Sequence, residues 1–127
     1  MARILSIEDS IYQRTKIARV LETEGHLVLQ AADGVEGLMM AATSDPDCIL
    51  CDLIMPQIGG LELLQQLHEK NLKVPVIILT ADIQNTTREE CLALGAVDFL
   101  NKPLKPEELL AAVRRVLAKS PPSEVNP

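Results

Sequence analysis

At 127 residues the chain is the size of one domain, with room for a single core and not for two ordinary ones. A net charge of −6 excludes the basic stripe of a nucleic-acid binder, and no apolar stretch reaches the roughly 20 residues needed to span a bilayer. The apolar share is 47%, yet there is no Trp, one Tyr and one Phe, so the core must be aliphatic, and Tyr12 and Phe99 stand out for that reason.

In chain order, short apolar runs alternate five times with stretches whose apolar positions recur at three and four. The first strand is predicted at Arg3 to Ile7 and runs into Glu8-Asp9; a helix follows from Ile11 to Thr23, stopped by Gly25. His26 to Ala31 reads as the second strand and Val35 to Thr43 as the second helix. The third strand, Cys48 to Cys51, is apolar without alternation, as a strand covered on both faces should be, and Asp52 stands at its carboxyl end. Two readings of Asp52 stand side by side here: a chemical group at a sheet edge, or a loop-initiating Asp bonded to nearby backbone.

Pro56 and Gly59-Gly60 break the chain before a helix from Leu61 to Glu69. Val76 to Thr80 is the fourth strand, Thr86 to Leu94 the fourth helix, stopped by Gly95, and Asp98 to Asn101 the fifth strand, running into Lys102-Pro103. The last helix, Pro106 to Ala118, carries one apolar stripe of Leu109, Leu110, Val113, Val116 and Leu117, with Glu107 and Glu108 in its first turn and Lys119 at its end. Residues 1–119 are therefore expected to form one domain and the proline-rich residues 120–127 a flexible tail. Strict β-α alternation implies an α/β fold with a parallel sheet and helices on both faces.

Several features carry no chemistry on this reading. Three cysteines leave an odd count, and Cys48 and Cys51, three apart on a strand, point to opposite faces, so packing is the expected role. The glycines of "DGVEGL" lack the spacing of a phosphate loop. His68 is expected to face solvent and His26 to begin a strand; neither is placed as a phosphodonor. The N-terminus lacks the long apolar core of a signal peptide, so a cytoplasmic location is expected.

The chemistry gathers at one edge. Strand ends that neighbour each other in a parallel sheet converge, which brings Glu8, Asp9, Asp52, Thr80 and Lys102 into one pocket. Clustered carboxylates raise one another's pKa unless a cation is present, and a hard divalent ion such as Mg²⁺ answers that need. Lys102 is expected to pair with the acids at rest and with phosphate charge during reaction.

Those residues, Glu8-Asp9, Asp52 within "DLIMPQIGG", Thr80-Ala81 and "DFLNKP", resemble a response-regulator receiver domain of two-component signalling, from residue 3 to about 118. The resemblance implies a five-stranded parallel sheet of order 2-1-3-4-5, the flavodoxin-like receiver fold. It implies Asp52 as phosphoryl acceptor, and Mg²⁺ held by Glu8, Asp9, Asp52 and the backbone carbonyl of Ile54. Thr80 and Lys102 would bind the phosphoryl group, and Phe99 would change rotamer with Thr80. The Lys102-Pro103 bond is expected to be cis. The implied partners are a sensor histidine kinase as phosphodonor and a target protein on the fourth helix, fifth strand and fifth helix. The chain is expected to be either a stand-alone, chemotaxis-regulator-like receiver acting by contact, the preferred form, or a receiver cut from a longer chain at its linker, and in neither case an enzyme in the conventional sense. Two alternatives are an Mg²⁺-dependent phosphoaspartyl hydrolase, disfavoured because Ile54 stands where a second acid is expected, and a receiver-like scaffold that is never phosphorylated.

Overall fold

The computed structural model describes residues 2–81 and 85–119. The elements follow in strict alternation: β1 (Arg3–Ile7), α1 (Ile11–Glu22), β2 (Leu27–Ala31), α2 (Gly34–Ser44), β3 (Cys48–Asp52), α3 (Gly60–Glu69), β4 (Val76–Thr80), α4 (Asn85–Ala93), β5 (Ala96–Asn101) and α5 (Pro106–Lys119). All strand pairs are parallel, in the order β2-β1-β3-β4-β5. That is the expected 2-1-3-4-5 sheet. β3 and β4 are buried at every position, which is why their sequences read as unbroken apolar runs.

Strand alternation divides the core into two layers. On one face Leu5, Ile7, Ile49, Cys51 and Ile78 pack with Ala41 of α2, Leu63, Leu64 and Leu67 of α3 and Cys91 of α4. On the other, Ile4, Cys48, Leu50, Ile77, Leu79 and Leu100 pack with Ile17 and Leu21 of α1 and Leu109, Ala112, Val113 and Val116 of α5. Cys48 and Cys51 therefore do lie on opposite faces. Burial pushes the Cys48 thiol up to about 12 and Cys51 higher still, which leaves both without reactivity.

The glycines of "DGVEGL" are spacers for packing. A Cβ on Gly37 would lie 2.4 Å from Cδ1 of the fully buried Ile7, and one on Gly34 would lie 2.4 Å from the Ile58 backbone oxygen. Their absence lets α2 close on β1 and on the loop after β3. Gly25 and Gly95 end α1 and α4 with φ of +83° and +107°, a region that glycine enters without Cβ strain. Asp33 caps α2 by accepting from Glu36 N at 2.8 Å, and Glu36 Oε1 accepts from Ala32 N at 2.7 Å.

The differences from expectation lie at element ends. β2 starts at Leu27 instead of His26, whose Nδ1 accepts from Ala2 N at 3.3 Å and so holds the residue before the ladder. β3 extends one residue to include Asp52. β5 starts at Ala96, two residues before Asp98, across a register shift between Val76 and Ile77 of β4. The tail expected at 120–127 lies outside the described residues. Among the described residues no helix is long and apolar enough to cross a membrane.

Candidate functional site

Asp52 closes β3 with its backbone paired to Leu79 of β4, and it is only 7% exposed. Its Oδ2 accepts from Lys102 Nζ at 2.9 Å. The same ammonium donates to Glu8 Oε1 at 3.1 Å, so one lysine bridges the ends of β1 and β3 from the far edge of the sheet. Of the two readings of Asp52, the backbone-bonded turn former gives way: its side chain meets a cation. Lys102 is held in place by its own N–H, which donates to the Thr80 carbonyl at 2.8 Å, and its bond to Pro103 is cis, as expected.

Glu8, Asp9 and Asp52 each offer a carboxylate oxygen within 4.8 Å of the other two. Glu8 is 1% exposed, and its second oxygen, Oε2, has no hydrogen-bond partner among the described residues. Burial first, and then the neighbouring Asp52 carboxylate, push the Glu8 carboxyl up to about 7 against the opposing pull of Lys102. Burial lowers the Lys102 ammonium, but its bonds to Asp52 and Glu8 outweigh that and leave it above the usual lysine value. One monovalent cation thus serves two buried acids, and a third, Asp9, stands beside them with its side chain exposed. Asp9 takes no part in capping α1: Ser10 is the cap, its Oγ accepting from Gln13 N at 3.3 Å.

The donor set fits a hard divalent ion. Three carboxylates converge, and an octahedral Mg²⁺ typically combines such acids with waters and carbonyls. Ile54, whose carbonyl was expected to help, stands two residues beyond Asp52 with 78% of its surface exposed. The segment from Leu53 to Gly60 folds back tightly, with Gly60 N donating to the Leu53 carbonyl at 2.8 Å. A Cβ on Gly59 would lie 2.5 Å from that carbonyl oxygen, which explains the glycine pair. Gln57 takes φ of +69°, a left-handed turn next to the acidic pocket.

Thr80 ends β4, 2% exposed. Phe99 pairs with Ile78, and Asn101 with Thr80, so the phenylalanine lies one pleat behind the threonine on the face of α2, α3 and α4. The ring is half-buried, and the Arg88 guanidinium of α4 sits 4.5 Å from its centroid. Sequence reasoning missed Arg88. It also missed Arg14, whose Nη1 donates to the Glu8 carbonyl at 2.7 Å and pins the start of the acid pair to α1. Both contacts join residues that only the packed tertiary structure brings together, and no local motif marks them.

This topology and this acidic edge define a class of protein, and comparison with known families names it. The chain belongs to the response regulator receiver domain family, whose model matches residues 4–114. Response regulator MprA of Mycobacterium leprae is 38% identical over 122 residues, which are 96% of this chain and 54% of that protein. This chain thus spans about half the length of the curated relatives it matches. Among solved structures, chemotaxis protein CheY4 of Vibrio cholerae is similar with a TM-score of 0.87 at 34% identity, covering 92% of this chain and 99% of that one. The receiver domain of Francisella response regulator 1452 gives 0.87 at 31% identity, covering 94% and 98%.

Proposed function

We propose that the chain accepts a phosphoryl group on Asp52 from the phosphohistidine of a sensor kinase, and signals through a changed protein-binding surface. The observation that supports this most is the Lys102 ammonium, 2.9 Å from Asp52 and 3.1 Å from Glu8. It pairs with the buried carboxylate that acts as nucleophile and is placed to follow negative charge as that charge moves onto a phosphoryl group. In the transfer an Asp52 oxygen forms a bond to phosphorus as the phosphorus–nitrogen bond breaks, and its electron pair returns to the imidazole.

Glu8, Asp9, Asp52 and the Ile54 carbonyl would hold Mg²⁺, which when bound neutralises charge on the transferring oxygens. Lys102 and the Thr80 hydroxyl bind phosphoryl oxygens beside the nearly fully buried Glu8 and Asp52. Mg²⁺ also relieves the repulsion that raises Glu8. Thermal melts with and without Mg²⁺ should therefore show a higher melting temperature with the ion, since a ligand that binds only the folded chain stabilises it. Asp9→Ala should lose most of that shift; a variant that keeps all of it overturns the site.

The output surface in this reading is α4, β5 and α5. A Thr80 hydroxyl drawn to phosphate leaves space one pleat away from Phe99, whose ring lies between the core cluster and Arg88. Inward movement of the ring gives up the Arg88 contact and frees α4 to shift, a packed element with two arrangements. Amide exchange with and without a beryllofluoride phosphoryl mimic should change across α4 and α5 in the parent. Thr80→Ala should keep Asp52 phosphorylation and lose that change. Silent helices in the parent remove this mechanism while leaving the acceptor in place.

A further inference from the structure

Two buried side-chain oxygens lack a hydrogen-bond partner among the described residues, Ser6 Oγ and Glu8 Oε2. They belong together. β1 alternates with Ile4 on the α1–α5 face and Leu5 and Ile7 on the other, which puts Ser6 with Ile4. Glu8 N donates to the Ala31 carbonyl at 3.1 Å, so the parallel ladder runs one residue past β1 and Glu8 continues the same alternation. Two residues along a strand span about 6.6 Å, a gap that the reach of a glutamate and one bridging water closes.

We propose that Ser6 is a positioning residue for Glu8: through one buried water shared with Oε2, its hydroxyl fixes the carboxylate so that Oε1 faces Lys102 and the cation pocket. This rests on the reading of Glu8 as part of an Mg²⁺ site. Ser6 lies in the ladder between Leu50 of β3 and Gln30 of β2, on the aliphatic α1–α5 face of the sheet, and a buried hydroxyl there carries a desolvation penalty that alanine would not. Gln30 is exposed, and the other buried side-chain oxygen that the described residues leave without a partner is Glu8 Oε2. Groups behind a metal ligand orient it, and their removal weakens metal binding without touching the ligand itself.

The test is the Mg²⁺ dissociation constant of the parent chain, Ser6→Ala and Ser6→Thr, measured by calorimetry, with melting temperatures taken in the absence of metal. Ser6→Ala is expected to bind Mg²⁺ roughly tenfold more weakly. Its metal-free melting temperature should be at or above that of the parent. In phosphorylation by acetyl phosphate, its half-saturating Mg²⁺ concentration should rise while the rate at saturating Mg²⁺ stays near the parent's. Ser6→Thr, which returns the hydroxyl, should bring the affinity back. A Ser6→Ala chain that binds Mg²⁺ as the parent does overturns the proposal, and so does weaker binding matched by a general loss of metal-free stability. A parent chain that binds no Mg²⁺ overturns the site itself, and this inference with it.

Discussion

Acetyl phosphate and Mg²⁺ are expected to add one phosphoryl group to the parent chain and none to Asp52→Asn, as read by intact mass. Three acids share the pocket, and their surroundings separate their roles. Glu8 is 1% exposed, with one oxygen on Lys102, so its burial shields it from a phosphodonor. Asp9 is exposed and lacks the lysine contact that activates its neighbour. Asp52 alone combines a bound ammonium with a place at the end of a fully buried strand. Asparagine is isosteric and removes one negative charge beside Glu8, while Lys102 keeps its second acid at 3.1 Å, so the fold should persist. A sensor kinase carrying phosphohistidine should likewise discharge onto the parent and not onto the variant. Equal labelling of both chains would move the acceptor to another residue.

Much of this was legible in the sequence because the sheet imposes its pattern residue by residue. β3 and β4 are covered on both faces and must be apolar throughout, so the first polar residues, Asp52 and Thr80, mark the carboxyl edge. Glu8-Asp9 and Lys102-Pro103 follow β1 and β5 in the same way. Less legible was whatever depends on the packed whole. β5 begins at Ala96 because β4 shifts register at Val76, a property of the pair and not of either strand. Ser10 caps α1, a choice between neighbouring cap-forming residues that the sequence leaves open, and Asp9 stands in the cluster. Sequence gives the identity of Glu8 but not its burial, nor the orphaned oxygen that follows from it. Arg88 meets Phe99 across eleven residues of chain, and a surface arginine on a helix announces nothing of the ring beneath it.

Replacement of Lys102 by methionine should have the second large effect, because it takes away the one cation that serves two buried acids. Methionine preserves the apolar stem, so packing changes little and the loss is electrostatic. Breaking a fully buried ion pair costs about 3–5 kcal/mol. Lys102 keeps 24% of its side chain exposed, and Glu8, already raised to about 7, takes up a proton more readily than an ordinary glutamate, so about 1–2 kcal/mol is the expected loss here. Because the deficit is one of positive charge among carboxylates, Mg²⁺ should restore more stability to Lys102→Met than it adds to the parent. Phosphorylation follows the opposite course. The ion can replace a resting counter-charge, but it cannot also stand where the ammonium meets the moving phosphoryl oxygens, so the labelling rate should stay well below the parent's even at saturating Mg²⁺. Urea unfolding with and without the ion, alongside labelling time courses, separates the two roles. A variant labelled at the parent's rate once Mg²⁺ has restored its stability would reduce Lys102 to a structural counter-ion.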